Sequence, residues 1–326
     1  MLTLLAIMLM VAAACTKKTD EADTGQTAPG ETQDVEFPEI DRSELGEDVV
    51  VATYEGGEVR GNELAQYLAF QGFIAPHYPL NEPSFRTEAL RFLIAERVIM
   101  AENVTEANKN AANERLDQIW GDIKNRYDDE TRQKGLTTLQ ITEDEIQATL
   151  LRFLTVQDYF KQQTTDEDVR NFYNTVKADV TTADVRHILI STHENTAEGL
   201  KRVREDDEAK ALADEIYQQL KGGADFAALA QEKSEDPGSK DNGGLYEGYP
   251  ASQWAPGFKE AVVDQPVGEV GEPVQTMYGF HVIRVESRET MDIEEVRDAI
   301  IANITDEKFS EYFDTVLPDK IKQINI

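Results

Sequence analysis

Three residues in the second half of the chain have the types and the setting for chemistry: His187, Asp236 and His281. His187 stands in the apolar run Val185-Arg186-His187-Ile188-Leu189-Ile190, and His281 in Tyr278-Gly279-Phe280-His281-Val282-Ile283-Arg284-Val285. The chain has four histidines, and two of them sit centrally in its two best strand candidates. Strand alternation puts Val185, His187 and Leu189 on one face, and His281, Ile283 and Val285 on one face of the other strand. Asp236 lies in the loop Ser234-Glu235-Asp236-Pro237-Gly238. The turn Asp241-Asn242-Gly243-Gly244 comes next, then an aromatic cluster of Tyr246, Tyr249, Trp254 and Phe258.

Three kinds of chemistry compete for such a set. Two histidines and a carboxylate can form a facial metal triad, but no spacing here resembles a helical metal motif such as His-Glu-x-x-His. A nucleophilic triad needs an activated serine or cysteine. No Gly-x-Ser-x-Gly elbow is present, and the one cysteine, Cys15, lies far upstream, directly after an apolar leader. The third reading is that both imidazoles are satisfied core or turn residues. That would be favoured for either histidine alone, and it loses weight through their joint setting with the aromatics.

The elements that must position these residues are legible as patterns. Between the two strands, Ala209, Leu212, Ala213, Ile216 and Leu220 recur at helical spacing, and Gly222-Gly223 stops them. A short second helix carries Phe226 and Leu229. Upstream, Val49 to Tyr54 reads as a strand, Glu55-Gly56-Gly57 as a turn and Glu58 to Arg60 as the return. Asn62 is placed to cap a helix bearing Leu64, Tyr67 and Leu68. A longer helix carries Phe85, Leu90, Leu93, Ile94, Val98 and Ile99. Another spans roughly Asn108 to Asp128, and a capping box at Thr142 and Glu145 opens a further one. Asp166 to Val176 looks helical too. Downstream, Asp292 caps a segment through Val296, Ile300 and Ile301, and Thr305 caps another containing Phe309, Tyr312 and Phe313. No internal repeat is apparent, and the apolar stripes read as the core of a helical domain.

Composition sets outer bounds. The 326 residues suffice for two domains, and 63 acidic against 32 basic side chains leave a net charge of −31. Such a surface repels nucleic acid and anionic lipid, and no Gly-rich phosphate loop follows a strand. A lone cysteine forms no internal disulfide. Residues 1–14 are almost wholly apolar, shorter than the ~20 a spanning helix needs, and end in Ala12-Ala13-Ala14 before Cys15. This resembles a bacterial lipobox, which implies removal of the signal and lipid on Cys15. Residues 15–48 are rich in Asp, Glu, Thr, Gly and Pro without an apolar period, so they are expected to form a disordered acidic tether.

His187-Ile188-Leu189-Ile190, Ser234-Glu235-Asp236-Pro237, Asn242-Gly243-Gly244, Pro256-Gly257-Phe258 and Tyr278-Gly279-Phe280-His281-Val282-Ile283 together resemble the parvulin family of peptidyl-prolyl isomerases, in its order and approximate spacing. The layout of the flanks is similar to extracytoplasmic foldase lipoproteins of the PrsA kind and to SurA-type chaperones. The resemblance implies an α+β protein, with a small antiparallel sheet and its helices inserted at 182–288 into a mostly helical chaperone domain. That domain would comprise 49–181 and the terminal helices of 289–326. His187, Asp236 and His281 match the family's polar core. Tyr246, Trp254 and Phe258 fall on its proline pocket, and Tyr278 on a position beside the second histidine often held by serine. The pocket is thus more aromatic than the family's usual one. Ser191 stands where phosphate-directed relatives carry a basic side chain, and acidic residues interleave with Lys201, Arg202 and Arg204, which points away from phosphorylated substrates.

The function implied is isomerisation of X–Pro bonds in unfolded or newly exported proteins, with no cofactor and no metal. The partners would be those clients and a membrane through Cys15, with no nucleic acid; the sequence leaves the oligomeric state open. The competing reading is a non-catalytic holdase with a vestigial parvulin module.

Overall fold

The computed structural model describes residues 35–196 and 199–326. The expected leader at 1–14, the anchor at Cys15 and the tether as far as residue 34 lie outside the described residues. The chain divides into two compact units, one built from residues up to Asp168 together with Ala299–Ile326, the other from Val169–Asp298.

The first unit is mainly helical. Strands β1 (Val50–Tyr54) and β2 (Gly57–Arg60) form the expected hairpin, and β1 also pairs with a strand at Ile321–Ile324 that no sequence pattern announced. Its principal helices are Gly61–Ile74, Pro83–Glu102, Glu106–Lys124, Asp129–Leu139 and Glu143–Gln162. Thr142 caps the last of these as its capping box predicts, its hydroxyl accepting from Glu145 N at 3.2 Å. Asn62 does not cap the first. That helix already begins at Gly61, because Glu63 reaches back to accept the Arg60 N–H at 2.8 Å. The helix expected over roughly 108–128 is present as Glu106–Lys124, and a further helix, Asp129–Leu139, follows it, which Asp128 caps by accepting from Thr131 N at 2.7 Å.

Part of the expected tether belongs to this core. Phe37 and Leu45 are buried in it, Phe37 stacking on Phe73 at 6.0 Å and meeting Tyr127 edge-on at 5.5 Å. Two apolar side chains spaced this widely produce no periodic signal, so composition alone reads the segment as disordered. The two expected terminal helices are one, Ile293–Thr315. Thr305 is interior, its hydroxyl donating to Ile301 O at 2.7 Å instead of capping a new helix.

The second unit is a four-stranded antiparallel sheet in the order β6-β3-β8-β7, formed by β3 (Thr181–Ser191), β6 (Leu245–Pro250), β7 (Val274–Thr276) and β8 (Gly279–Thr290). A separate hairpin joins β4 (His193–Thr196) to β5 (Gly199–Arg202). The period of two divides the sheet's faces. Ile188, Ile190, Phe280 and Val282 pack on the helices Asp206–Lys221 and Phe226–Lys233, through Ala209, Ala213, Ile216, Leu220, Phe226 and Leu229. Leu212, at the margin of that stripe, is exposed instead. Val185, Ile283 and Val285 face the other way, onto the helix Phe258–Asp264 through Phe258, Val262 and Val263.

Candidate active site

Register brings the two imidazoles together. Across β3 and β8, His187 is paired with Ile283 and Leu189 with His281, so the histidines are diagonal neighbours on the Val185 face. They are 3% and 5% exposed. Their rings stack with centroids 5.4 Å apart, and His187 Nδ1 lies 3.2 Å from His281 Nδ1. His187 Nε2 is 3.0 Å from Asp236 Oδ2 and 3.1 Å from Ser239 Oγ. The same carboxylate oxygen accepts from Ser239 Oγ at 2.5 Å and from the Tyr246 hydroxyl at 3.1 Å. At the far end, His281 Nε2 meets Thr276 Oγ1 at 2.8 Å.

The loop carrying Asp236 is stitched to the end of β3. The buried Ser234 hydroxyl accepts from Leu189 N at 3.2 Å and from Asp236 N at 3.3 Å. Glu235 N donates to Leu189 O at 2.9 Å, and the Glu235 carboxylate accepts from Ser191 N at 2.7 Å. Arg204 closes on that carboxylate with both Nη atoms at 2.8 Å. Gly244 follows with φ +79°, and its carbonyl accepts from His187 N at 2.9 Å; a Cβ there would run into the His187 carbonyl.

Two facing Nδ1 atoms at 3.2 Å can share one hydrogen, since two N–H groups head to head would repel. Burial, reinforced by His187 and opposed by Asp236, pushes the His281 pKa down to about 3, so this imidazole stays neutral at ordinary pH. Burial works to raise the Asp236 carboxyl, but hydrogen bonds from His187 and Ser239 outweigh it and hold the group well below the usual carboxylate range. Burial and the adjoining Asp236 raise the Tyr246 phenol to about 12, which keeps it a donor. The result is a buried hydrogen-bonded wall with its one negative charge pinned at the Asp236 end.

Against this wall lies an aromatic layer. Trp254 stacks on Phe258 with centroids 4.2 Å apart and planes 16° from parallel. Tyr249 and Tyr246 meet the indole at 4.7 and 5.0 Å. Phe258 meets His187 at 5.2 Å and His281 at 5.1 Å, both T-shaped. Gly257, at φ +86°, opens the helix that carries Phe258; a Cβ there would strike the Gln275 carbonyl.

His187, Asp236, His281, Tyr246, Trp254 and Phe258 therefore converge, although the sequence separates them by up to 94 residues. Tyr278 is different: it is 37% exposed, and its main-chain carbonyl accepts from Thr192 N and His193 N. The hydroxyl at His281 belongs to Thr276. Thr276 and Ser239 escaped the sequence reading, and Ser234 entered it only as part of a motif, because a lone hydroxyl residue in a loop or at the end of a short strand carries no spacing signal of its own. The cations near Ser191 are paired: Lys201 with Glu194 at 3.5 Å, Arg202 with Glu205 at 3.1 Å and Arg204 with Glu235 at 2.8 Å.

Residues 171–289 match the family described as the PPIC-type PPIase domain. Over 170 residues the chain is 34% identical to the foldase protein PrsA of Caldanaerobacter subterraneus, covering 52% of this chain and 50% of that one. Over 132 residues it is 42% identical to the chaperone SurA of Chromohalobacter salexigens, covering 40% of this chain and 28% of the relative. The chain thus spans about half the length of the first relative and under a third of the second. A crystal structure of the peptidylprolyl isomerase PrsA from Bacillus cereus aligns over 84% of this chain and 91% of its own, with 21% identity and a TM-score of 0.43. The resemblance read from the separated motifs is borne out on the segment that carries them.

Proposed function

We propose that this chain is an extracytoplasmic foldase of the PrsA and SurA kind, which isomerises X–Pro bonds in unfolded or newly exported proteins. The observation that carries this reading is the closed His187–His281–Asp236 network set against an aromatic layer. The match of residues 171–289 to the PPIC-type domain supports it. Planar amides are held by resonance behind a barrier of ~18–20 kcal/mol. The twisted transition state loses the charge-separated form, so an apolar, water-poor surround favours it over the ground state. Each ~1.4 kcal/mol of that difference gives tenfold in rate.

In this reading Phe258, Trp254 and Tyr246 belong to the pyrrolidine site, Tyr278 stands on its rim, and the histidine wall orients the carbonyl without covalent attack. Thr276 and Ser239 set the wall's hydrogen bonds. The helical segments of 49–181 and 289–326 hold client chain, and the module spans 182–288. Cys15, following its short apolar run, carries the lipid that tethers the protein to a membrane. X–Pro bonds of unfolded clients populate cis at ~10–30% and relax over ~10–100 s, which gives such an enzyme its substrate.

The test is a protease-coupled isomerisation assay on a proline tetrapeptide, run beside aggregation suppression of an unfolded client. Acceleration that disappears in a folded His187→Ala, His281→Ala double variant is expected. Suppression without any isomerisation would leave the holdase reading in its place. Lipid on Cys15 is read by mass spectrometry of the membrane fraction; an unmodified Cys15 within an intact leader overturns the anchor.

A further inference from the structure

Phe258 is an aromatic ring that meets both histidines, yet it is 1% exposed. The indole of Trp254 takes one face of its ring, stacked at 4.2 Å, while His187 and His281 crowd it at 5.2 and 5.1 Å. No face of Phe258 is left for a pyrrolidine ring. We infer that Trp254 is a gate: it closes the proline site by stacking on Phe258, and a client's proline enters by displacing it. This rests on the functional reading above.

Two further observations favour a side chain poised to leave. Trp254 Nε1 is buried and has no hydrogen-bond partner among the described residues, so the closed position strands a donor that water or a client carbonyl would satisfy. The segment around it is short and faces solvent. Ser252, Gln253 and Pro256 are exposed, and Trp254 itself has extended backbone between a single 3-10 turn and Pro256-Gly257. In the proposed opening, rotation about its side-chain bonds would carry the indole off Phe258, Tyr246 and Tyr249 and outward to solvent. Gly257, fixed by its close approach to Gln275, and Phe258, buried at the head of its helix, stay in place.

A closed fraction lowers apparent affinity, because the measured constant is the intrinsic one divided by the open fraction. An aromatic pair is worth ~0.5–1.5 kcal/mol beyond its burial, and the indole meets Tyr249 and Tyr246 as well as Phe258, so the gate costs at least roughly two- to tenfold in KM. Trp254→Met keeps an adaptable apolar wall without the stack, and its KM for a proline tetrapeptide is expected to fall by that factor. A KM that rises, as loss of a fixed wall would give, overturns the gate.

The unaltered site gives an independent readout. The chain has two tryptophans, so Trp120→Phe leaves Trp254 as the sole indole emitter. Saturating an Ala-Leu-Pro-Phe peptide should shift its emission to the red and increase quenching by acrylamide. Unchanged emission, or a blue shift with less quenching, would mean that proline packs on the indole where it lies, and sinks the proposal. Absence of any peptide isomerisation by the unaltered chain overturns the functional reading and the gate together. Isomerisation with a motionless Trp254 overturns the gate alone.

Discussion

Asp236 Oδ2 accepts hydrogen bonds from His187, Ser239 and Tyr246, so one oxygen fixes three side chains of the site. Asp236→Asn keeps the shape but removes the charge that makes these bonds strong. Isomerase kcat/KM should fall by at least about tenfold, with ~1–3 kcal/mol lost from melting stability; near-normal turnover per folded molecule would show that the carboxylate only supports the fold. His281 makes a separate prediction about pH. Its folded pKa, about 3, lies below its ordinary 6.5, so the unfolded chain binds more protons between those values. Stability from this group is complete above ~6.5 and drains away as pH falls toward 3. The depressed carboxyl of Asp236 adds a loss that begins lower, below its ordinary 3.8. His281→Gln should flatten the upper part of that acid slope; an unchanged slope would place its origin elsewhere. The ionisable members of this site were legible because two histidines centred on apolar runs are rare. Ser239 and Thr276 were not, since only the folded loop of the one and the strand pairing of the other aim those hydroxyls at an imidazole.

At the scale of elements, the sheet is a clamp made of alternation. Shifting β8 by one residue against β3 would turn His281 toward the helices Asp206–Lys221 and Phe226–Lys233 and break the pair. Ser234 holds the third member to this register by accepting from Leu189 N and Asp236 N. Ser234→Ala leaves two amide donors without their acceptor, so ~1–3 kcal/mol should be lost on melting. Activity should fall beyond the unfolded fraction as Asp236 drifts from His187; a purely thermal effect would confine Ser234 to stability. Long amphipathic helices and the two site strands were readable because their periods run over many residues. The strand β6 was hidden, since its residues register as an aromatic cluster before they register as a ladder, and Val185 opposite Tyr246 is a fact of pairing. Asn62 and Thr305 show the other limit: a capping residue type does not by itself mark a helix start, since Glu63 already takes the Arg60 N–H ahead of Asn62, and the Thr305 hydroxyl donates to Ile301 O inside a continuous helix.

For the whole molecule, the first unit draws on both ends of the described chain. Phe309, which comes after the sheet module, packs between Phe92 at 5.1 Å and Phe160 at 5.7 Å, and the strand Ile321–Ile324 completes the β1–β2 sheet. Cutting the chain after the module should therefore unfold the first unit, whereas excising the module should not. The exit and entry points are close, because Thr181 and Thr290 are paired strand residues whose hydroxyls lie 2.9 Å apart. Paired antiparallel Cα atoms stand ~4.5–5.5 Å apart, a gap that a few Gly and Ser residues span. Replacing 182–288 with such a linker should leave a cooperative melting transition while abolishing isomerisation. In that shortened chain Phe309→Ala should lower stability by ~3–5 kcal/mol, the cost of emptying a buried aromatic site. If the shortened chain lacked cooperative melting, or if Phe309→Ala left its melting unchanged, residues 299–326 would not be part of the first unit's core.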